Sequence, residues 1–155
     1  MRKLLYVMAF SVFALLAKGE GISFSGTWKL NTGKSTLFDQ FSLAPSQLIV
    51  IQTADSLIVE KHGNFQGTDY VSKDKYSLDG KECINPGMMN NKKTSVAVWS
   101  EDGKMLTISS KMPTQDQGEA TIKEVYQMVD GNLKVELSAA SQMGEMAETY
   151  LLDKE

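Results

Sequence analysis

Residues 120–139 read ATIKEVYQMVDGNLKVELSA, and this stretch decides the fold class. The dipeptide Asp130-Gly131 is typical of a two-residue hairpin loop, in which both positions accept a positive φ. Runs of alternating apolar and polar residues flank the dipeptide, and this alternation is the period of a half-buried β-strand. Because the side chains of a strand point alternately to opposite faces, the loop length decides which residues share a face. The stretch therefore predicts an antiparallel hairpin with one mainly apolar face.

The predicted register of this hairpin places three cross-strand pairs on that face: Met128 with Leu133, Tyr126 with Val135, and Glu124 with Leu137. Ile122 shares the face by the same alternation. If the face lines the inside of a barrel, the carboxyl group of Glu124 lies among apolar neighbours.

Eight further segments show strand-like patterns between turn signals. With the hairpin strands included, the predicted strands are 24–30, 46–53, 56–62, 70–78, 81–84, 94–100, 104–111, 120–129, 132–139 and 145–152. Successive hairpins predict an all-β fold, an antiparallel up-and-down meander barrel of about eight to ten strands. A sheet that closes on itself leaves no exposed edge.

Three other turns set the predicted faces of neighbouring strands. Residues 54–55 and 79–80 are predicted two-residue loops, and 101–103 a three-residue loop with Gly103 in the left-handed conformation. The last of these places Val98 opposite Leu106 and Val96 opposite Ile108 on an apolar face. The 79–80 loop places Cys83 opposite Tyr76, as a small buried hydrophobic residue.

Residues 31–45, NTGKSTLFDQFSLAP, link the first two strands and are too long for a tight turn. Leu37, Phe38 and Phe41 have the spacing of one helical turn, with Ser35 or Thr36 as its cap. Such a turn would plug one end of the barrel or act as a lid. A packed surface loop is the other interpretation.

The N-terminus has the pattern of an export signal. A basic start is followed by thirteen residues, 4–16, of apolar character, and small residues stand at the −3 and −1 positions of a cleavage site after Gly19. Thirteen residues are fewer than the ~20 that a membrane-spanning helix needs. We therefore expect a signal peptide at 1–19, one domain at 20–155, and a periplasmic or secreted protein.

The charge of the chain argues against nucleic-acid binding. The only arginine is Arg2, and after cleavage 13 lysines face 19 acidic residues, a net charge of about −6. Nucleic-acid recognition relies on positive charge and on arginine. The chain also has one histidine and one cysteine, and the sequence contains no cofactor or metal motif. We expect no cofactor, no metal and no membrane span.

Residues 25–30, SGTWKL, open the meander with a Gly-x-Trp strand, and YSLDGKE at 76–82 adds a second motif. With these motifs the chain resembles the lipocalin and fatty-acid-binding superfamily, the calycins, and more specifically small exported lipocalin-like proteins of bacteria. The resemblance implies a barrel whose tryptophan seals the floor and which contains a cavity. Fatty-acid-binding proteins hold the ligand carboxylate with an Arg-x-Tyr pair on the last strand. The matching positions here are Tyr150 and Leu152, so fatty-acid binding itself is not implied.

By analogy with the superfamily, the inward face of the last strand carries Met146, Glu148, Tyr150 and Leu152. Two Glu-x-Tyr pairs, Glu124/Tyr126 and Glu148/Tyr150, then lie inside the barrel. Buried carboxylates need hydrogen bonds, a counter-charge or a shifted pKa. The two pairs favour a ligand that offers donors, such as an amine, a hydroxyl or a cation. The alternative is that either strand faces the other way and leaves its glutamate in water.

The other candidate residues, His62 and the methionines, are not expected to bind a metal ion. His62 has no second histidine as a metal partner and is expected at an exposed strand end. The seven methionines that follow the signal, two of them Met128 and Met146, are expected to fill gaps in the core or cavity wall rather than to bind copper.

The sequence predicts non-enzymatic binding or carriage of a small apolar or amphipathic ligand in the barrel, with Glu124, Tyr126, Met128, Glu148 and Tyr150 lining the cavity. The alternative is a solid-cored interaction module, such as an inhibitor or accessory factor that binds an envelope protein. An enzyme is disfavoured, although paired glutamates leave acid–base chemistry open.

Overall fold

The computed structural model describes residues 21–39 and 41–155, and the predicted signal peptide lies outside this part. The described residues form ten antiparallel strands and one short 3-10 turn, Met88–Asn90. The strands are β1 (Gly26–Leu30), β2 (Gln47–Gln52), β3 (Ser56–Phe65), β4 (Thr68–Ser77), β5 (Cys83–Pro86), β6 (Lys92–Trp99), β7 (Met105–Pro113), β8 (Glu119–Val129), β9 (Asn132–Ser141) and β10 (Gly144–Lys154). The predicted all-β meander is confirmed.

All ten strands belong to one sheet in the order β4-β3-β2-β1-β10-β9-β8-β7-β6-β5. The sheet curls until its two edge strands, β4 and β5, approach each other. Side chains rather than a backbone ladder join these edges: the Asn85 amide donates to the Lys75 carbonyl (3.1 Å) and accepts from the Lys75 N–H (2.8 Å). The result is a nearly closed barrel.

The hairpin at Asp130-Gly131 has the predicted register. Tyr126 pairs with Val135 and Glu124 with Leu137. Asp130 has φ 51° and Gly131 has φ 80°, the left-handed conformations that a two-residue loop of this kind requires. The predicted two-residue loop at 54–55 is also present, because Gln52 pairs with Leu57.

The loop after β6 is one residue longer than predicted. Trp99 pairs with Leu106, and Ala97 with Ile108, so the loop is 101–104. The Ser100 side chain stabilises this longer loop by accepting the N–H of Met105 (3.0 Å) and donating to Asp102 (2.6 Å).

The extra loop residue reverses the faces of β6. The predicted inward positions of Val96 and Val98 are wrong: Val98 is 53% exposed, whereas Ala97 is buried. Gly103 has the predicted left-handed conformation, with φ 68°.

The predicted loop at 79–80 is also wrong, since β5 begins only at Cys83 and has no backbone ladder with β4. Asp79 holds the longer link by accepting the Ser77 hydroxyl (2.5 Å) and the Lys81 N–H (3.0 Å). Cys83 is half-buried rather than part of the core. Its sulfur accepts the N–H of Ser77 at 3.1 Å and so helps to join the sheet edges.

One end of the barrel, which we call the floor, is closed by aromatic side chains. Trp28 is 1% exposed, and its indole N–H donates to the carbonyl of Phe24 at 2.9 Å. Phe24 stacks on Trp99 with ring centroids 5.7 Å apart. Leu106 and Leu133 beside them are 0% exposed, so no space large enough for a water molecule touches them. The floor end is therefore solid.

Residues 31–45, which we call the cover segment, contain no helix in their described part, so the packed loop rather than the helical turn is the correct one of the two interpretations. Ser35 and Thr36 bond to β10 instead of capping a helix. The Ser35 hydroxyl accepts the N–H of Leu151 (2.9 Å), and Thr36 forms a β-bridge with Thr149. These tertiary hydrogen bonds pull the backbone out of a helical path, and the segment lies along the barrel wall.

Candidate functional site

The interior of the barrel is closed at the floor and becomes accessible toward the opposite end. Along the inward face of β8, Tyr126 is 0% exposed, Glu124 is 3% exposed and Ile122 is only half-buried. The same gradient runs along β9, where the inward face ends at half-buried Ala139, and along β10, where it ends at half-buried Met146. We call this accessible end the mouth.

The middle of the barrel contains charged side chains in two ion pairs. Lys61 on β3 lies 2.5 Å from Glu124 on β8, and Lys93 on β6 lies 2.7 Å from Asp74 on β4. Each pair joins strands that are not neighbours in the sheet. Pairing is what permits these charges to be buried.

In both ion pairs the lysine is the more accessible partner. The Lys61 side chain is 19% exposed against 4% for Glu124, and the Lys93 side chain is 12% exposed against 3% for Asp74. The carboxylates therefore lie deeper, and the lysines are the charged groups that solvent reaches.

Hydroxyl groups complete this layer. Tyr76 donates to Asp74 at 3.0 Å, Tyr150 donates to Glu148 at 2.5 Å, and the hydroxyls of Ser95 and Ser110 are 2.7 Å apart. The Tyr126 hydroxyl is buried and has no hydrogen-bond partner within the described residues. We call the whole set the polar layer: Lys61, Asp74, Tyr76, Lys93, Ser95, Ser110, Glu124, Tyr126, Glu148 and Tyr150.

The surroundings of the polar layer shift its acid–base properties. Burial, followed by the negative charge of Glu124, raises the pKa of Tyr76 and Tyr126 above the usual range of a phenol. Burial and the hydrogen bond to Glu148 do the same for the pKa of Tyr150. For Lys61, burial acts to lower the pKa, but the ion pair with Glu124 outweighs it and raises the pKa overall. Lys61 is therefore charged at neutral pH.

Tyr70 stands above Lys61 on the mouth side of the polar layer. Its ring lies directly against the backbone of Gly63, where a Cβ atom would come within 2.6 Å of the phenol. Burial raises the pKa of Tyr70, and the charge of Lys61 opposes that increase. Gly63 is thus the residue that permits Tyr70 to fold over the interior.

The sequence-predicted inward positions of both Glu-x-Tyr pairs are present: Glu124, Tyr126, Glu148 and Tyr150 are all buried, and Met128 packs on the core. Their role in ligand binding stays a prediction. The two glutamates differ, because Glu124 pairs with a lysine whereas Glu148 accepts the N–H groups of Phe38 (2.9 Å) and Leu43 (3.1 Å) in the cover segment.

Sequence reasoning missed the cationic half of the site. Leu57, Val59 and Lys61 alternate on one face of β3, so the pattern that buried the two apolar residues also pointed Lys61 inward. The same alternation places Asp74 beside Tyr76 on β4. Lys93 had no comparable signal, because its face depended on the loop of β6 that was predicted one residue too short.

Two other expectations from the sequence, for His62 and for the methionines, differ from the structure. His62 lies within β3 rather than at an exposed strand end, and its Nε2 is 2.6 Å from the Glu60 carboxylate. Only part of the methionine set fills the core or wall: Met112, Met128 and Met146 are buried or half-buried. The exposed members are Met88, Met89, Met105 and Met143.

Among residues 21–39 and 41–155, no cluster of three or more histidine, cysteine or acidic side chains has the geometry to hold a metal ion. In the same part of the chain, no helix has the length and hydropathy of a membrane span.

Comparison with known proteins reveals the fold but not a family. No family profile matches the chain, and no curated protein matches it in sequence. Among solved structures, it is similar to the zebrafish ileal bile-acid-binding protein in complex with cholic acid, with a TM-score of 0.57, 12% identity, and coverage of 85% of this chain and 98% of that one. A luciferase domain of the dinoflagellate Lingulodinium polyedrum gives a TM-score of 0.51 and 11% identity, covering 82% of this chain and 41% of that one. The chain thus shares the fold of these two structures, an antiparallel β-barrel.

The Lys61–Glu124 pair generates a first prediction. We expect Lys61→Met to lower the free energy of unfolding by about 3–5 kcal/mol, because it leaves the Glu124 charge buried without a partner. The double variant Lys61→Met/Glu124→Gln should recover most of this loss. Urea unfolding of both variants measures the two values.

The matched control is Lys73→Met, which removes an exposed lysine 3.9 Å from Glu60 and should cost less than about 1 kcal/mol. Equal losses for Lys61→Met and Lys73→Met would contradict a buried ion pair.

The four described tyrosines generate a second prediction. Their pKa values are higher in the folded than in the unfolded chain, so above a pH of about 10 the unfolded state loses phenol protons that the folded state keeps. The free energy of unfolding should therefore be independent of these groups below that pH and fall as the pH rises past it. The decrease is at most about 1.4 kcal/mol per pH unit for each tyrosine.

An ultraviolet titration of the folded protein measures this directly. Phenolate absorbance from Tyr76, Tyr126 and Tyr150, which are buried, should appear together with the loss of β-sheet circular dichroism. If they ionise near pH 10 while the sheet signal is intact, the tyrosines are not buried as described.

Proposed function

We propose that this protein binds a small amphipathic ligand non-enzymatically, in the mouth half of its barrel. The observation that carries the proposal is the gradient of accessibility inside the barrel, from a solid floor to an accessible mouth. The interior side chains that a ligand can contact are the half-buried ones at the mouth, because Trp28, Leu106 and Leu133 at the floor are fully buried.

The apolar part of the ligand would lie against the inward residues of the mouth. Met112, Ile122, Ala139 and Met146 are apolar and face the interior at the ends of four consecutive strands. Large exposed apolar side chains also surround this end: Phe41, Phe65, Met88, Met89 and Met143. Single exposed apolar residues are ordinary, but five of them in the loops at one end of the barrel are consistent with a binding site at that end.

The polar part of the ligand would meet the lysines of the polar layer. Each lysine has three N–H donors, and its carboxylate partner occupies one of them. The glutamates are already paired or hydrogen-bonded, so they do not need the hydrogen-bond donors that the sequence analysis expected a ligand to offer. The ligand should instead offer acceptors, and an oxyanion satisfies the lysines most strongly. The zebrafish structural neighbour, which binds cholic acid, supports this class of ligand by fold analogy.

We further propose that the protein is a bacterial protein that is exported from the cytoplasm. The signal-like pattern of residues 1–19 supports this proposal.

A panel of dodecyl amphiphiles with carboxylate, sulfate, hydroxyl or ammonium heads tests the ligand, each used below its critical micelle concentration. We expect each anionic amphiphile to displace the neutral dye Nile red and to bind about ten-fold more tightly than the alcohol, a difference of one charge-assisted hydrogen bond. The ammonium compound should bind most weakly. The double variant Lys61→Met/Glu124→Gln should weaken the preference for anions, because only Lys93 is left to meet the head group, and Lys73→Met should preserve the preference.

If Nile red and all four amphiphiles fail to bind, ligand carriage is wrong, and the solid floor then favours the alternative of an interaction module. If all four amphiphiles bind with equal affinity, the proposal of a ligand site is supported, but the proposal that the lysines select the head group is wrong.

A further inference from the structure

Glu148 is the one polar-layer carboxylate that a lysine does not neutralise in the described residues, and most of its contacts are with the cover segment instead. It is 3% exposed, and one of its oxygens accepts the N–H of Phe38 at 2.9 Å. The other oxygen accepts the N–H of Leu43 at 3.1 Å and the hydroxyl of Tyr150 at 2.5 Å. Two of these three donors are backbone groups of the cover segment.

The cover segment occupies a break in the barrel wall. β1 is only five residues long and pairs with β10 from Leu152 to Lys154, so the mouth half of β10 has no neighbouring strand on that side. β2 begins at Gln47, opposite His62, and so does not reach the mouth end of β3 either. The chain between β1 and β2, which is the cover segment, fills this opening.

In its described part, the centre of the segment has two other kinds of contact, of which the first is the packing of Leu37 and Ala44 against the hydrophobic core. The β-bridge between Thr36 and Thr149 fixes one side of it against β10. Beyond this bridge, the Phe38 and Phe41 rings contact each other edge to face, 5.5 Å apart, and Phe41 is 49% exposed. The Glu148 carboxylate is therefore the interior group that fastens both the outgoing and the returning backbone of the segment.

We propose that Glu148 is a positioning residue that controls how fast ligands enter and leave the barrel, rather than a residue that contacts them. When its hydrogen bonds to Phe38 and Leu43 break, the cover segment separates from the wall at the mouth, and the interior becomes accessible from the side. This inference rests on the proposed function for the existence of a ligand. The attachment of the segment to Glu148 is independent of it.

The two roles differ in kinetics. A residue that contacts the ligand stabilises the complex, so its removal raises the dissociation rate and weakens the affinity. A residue that only holds a cover closed affects the barrier to passage, so its removal raises the association and dissociation rates together. The ratio of the two rates, which is the affinity, then stays the same.

The experiment combines amide exchange with stopped-flow binding of Nile red, on the full chain and on variants. Glu148→Gln keeps the size of the side chain but replaces one acceptor oxygen with a donor, and Glu148→Asp keeps the charge but shortens the reach. The matched control is Glu145→Gln, an exposed glutamate on the same strand. Circular dichroism shows that each variant is folded.

In both Glu148 variants we expect hydrogen exchange at the amides of Phe38 and Leu43 to accelerate at least about ten-fold, since a charge-assisted hydrogen bond is lost. Both rate constants for Nile red should rise by a common factor of about three or more, while the dissociation constant changes less than about two-fold. Glu145→Gln should change none of these values.

Four results would overturn the inference, each in a different way. Unchanged exchange at Phe38 and Leu43 would show that Glu148 does not hold the segment. Faster exchange with unchanged Nile red rates would show that the segment does not control passage. A dissociation rate that rises alone would make Glu148 a ligand contact. A wild-type chain that binds no probe would overturn the proposed function and the control of passage together, whereas the exchange result would still report on the attachment.

Discussion

The constraint on which the structure depends is that charge inside a barrel must be paired. An ionised group taken from water into an apolar interior is costly unless a counter-charge or several hydrogen bonds replace its hydration. Among the described residues three carboxylates are buried, Asp74, Glu124 and Glu148, and each of them has partners. Lysines from distant strands pair with the first two, and backbone N–H groups hold the third.

Those pairings also link parts of the barrel that the sheet does not. The Lys61–Glu124 pair joins β3 to β8, and the Lys93–Asp74 pair joins β6 to β4 near the place where the sheet edges meet. Glu148 joins β10 to the cover segment in the same way. Breaking one partner of a buried pair leaves the other uncompensated, so the polar layer makes a single arrangement of the strands preferable to others. It stabilises the closed form of the sheet and supplies the polar groups of the proposed site.

Local patterns in the sequence were sufficient for much of this architecture. Alternation around Asp130-Gly131 predicted the inward positions of Glu124, Tyr126 and Val135, because a two-residue loop leaves one register. The loop after β6 was predicted one residue too short, since the Ser100 hydrogen bonds that stabilise the longer loop have no simple sequence signature. A difference of one residue in loop length reverses which side chains of the strand face inward. The error in this loop therefore concealed the inward position of Lys93.

The partners of the buried carboxylates were beyond sequence reasoning for a different reason. Lys61 and Glu124 are 63 residues apart, and they meet only because the sheet closes into a barrel. The contacts of Glu148 depend on an irregular segment whose path follows from tertiary hydrogen bonds rather than from local preference. The inward orientation of the buried carboxylates was therefore predictable from the alternation of side chains along a strand. The residues that pair with them were not.

The most direct test of the account is a map of amide chemical shifts, recorded by nuclear magnetic resonance while dodecyl sulfate is added below its critical micelle concentration. The account predicts that the changes concentrate on the mouth half of the barrel, around Lys61, Ile122 and Met146, and that the floor around Trp28 and Leu133 is unaffected. Changes confined to the outer surface of the sheet, or none at all, would contradict an interior binding site.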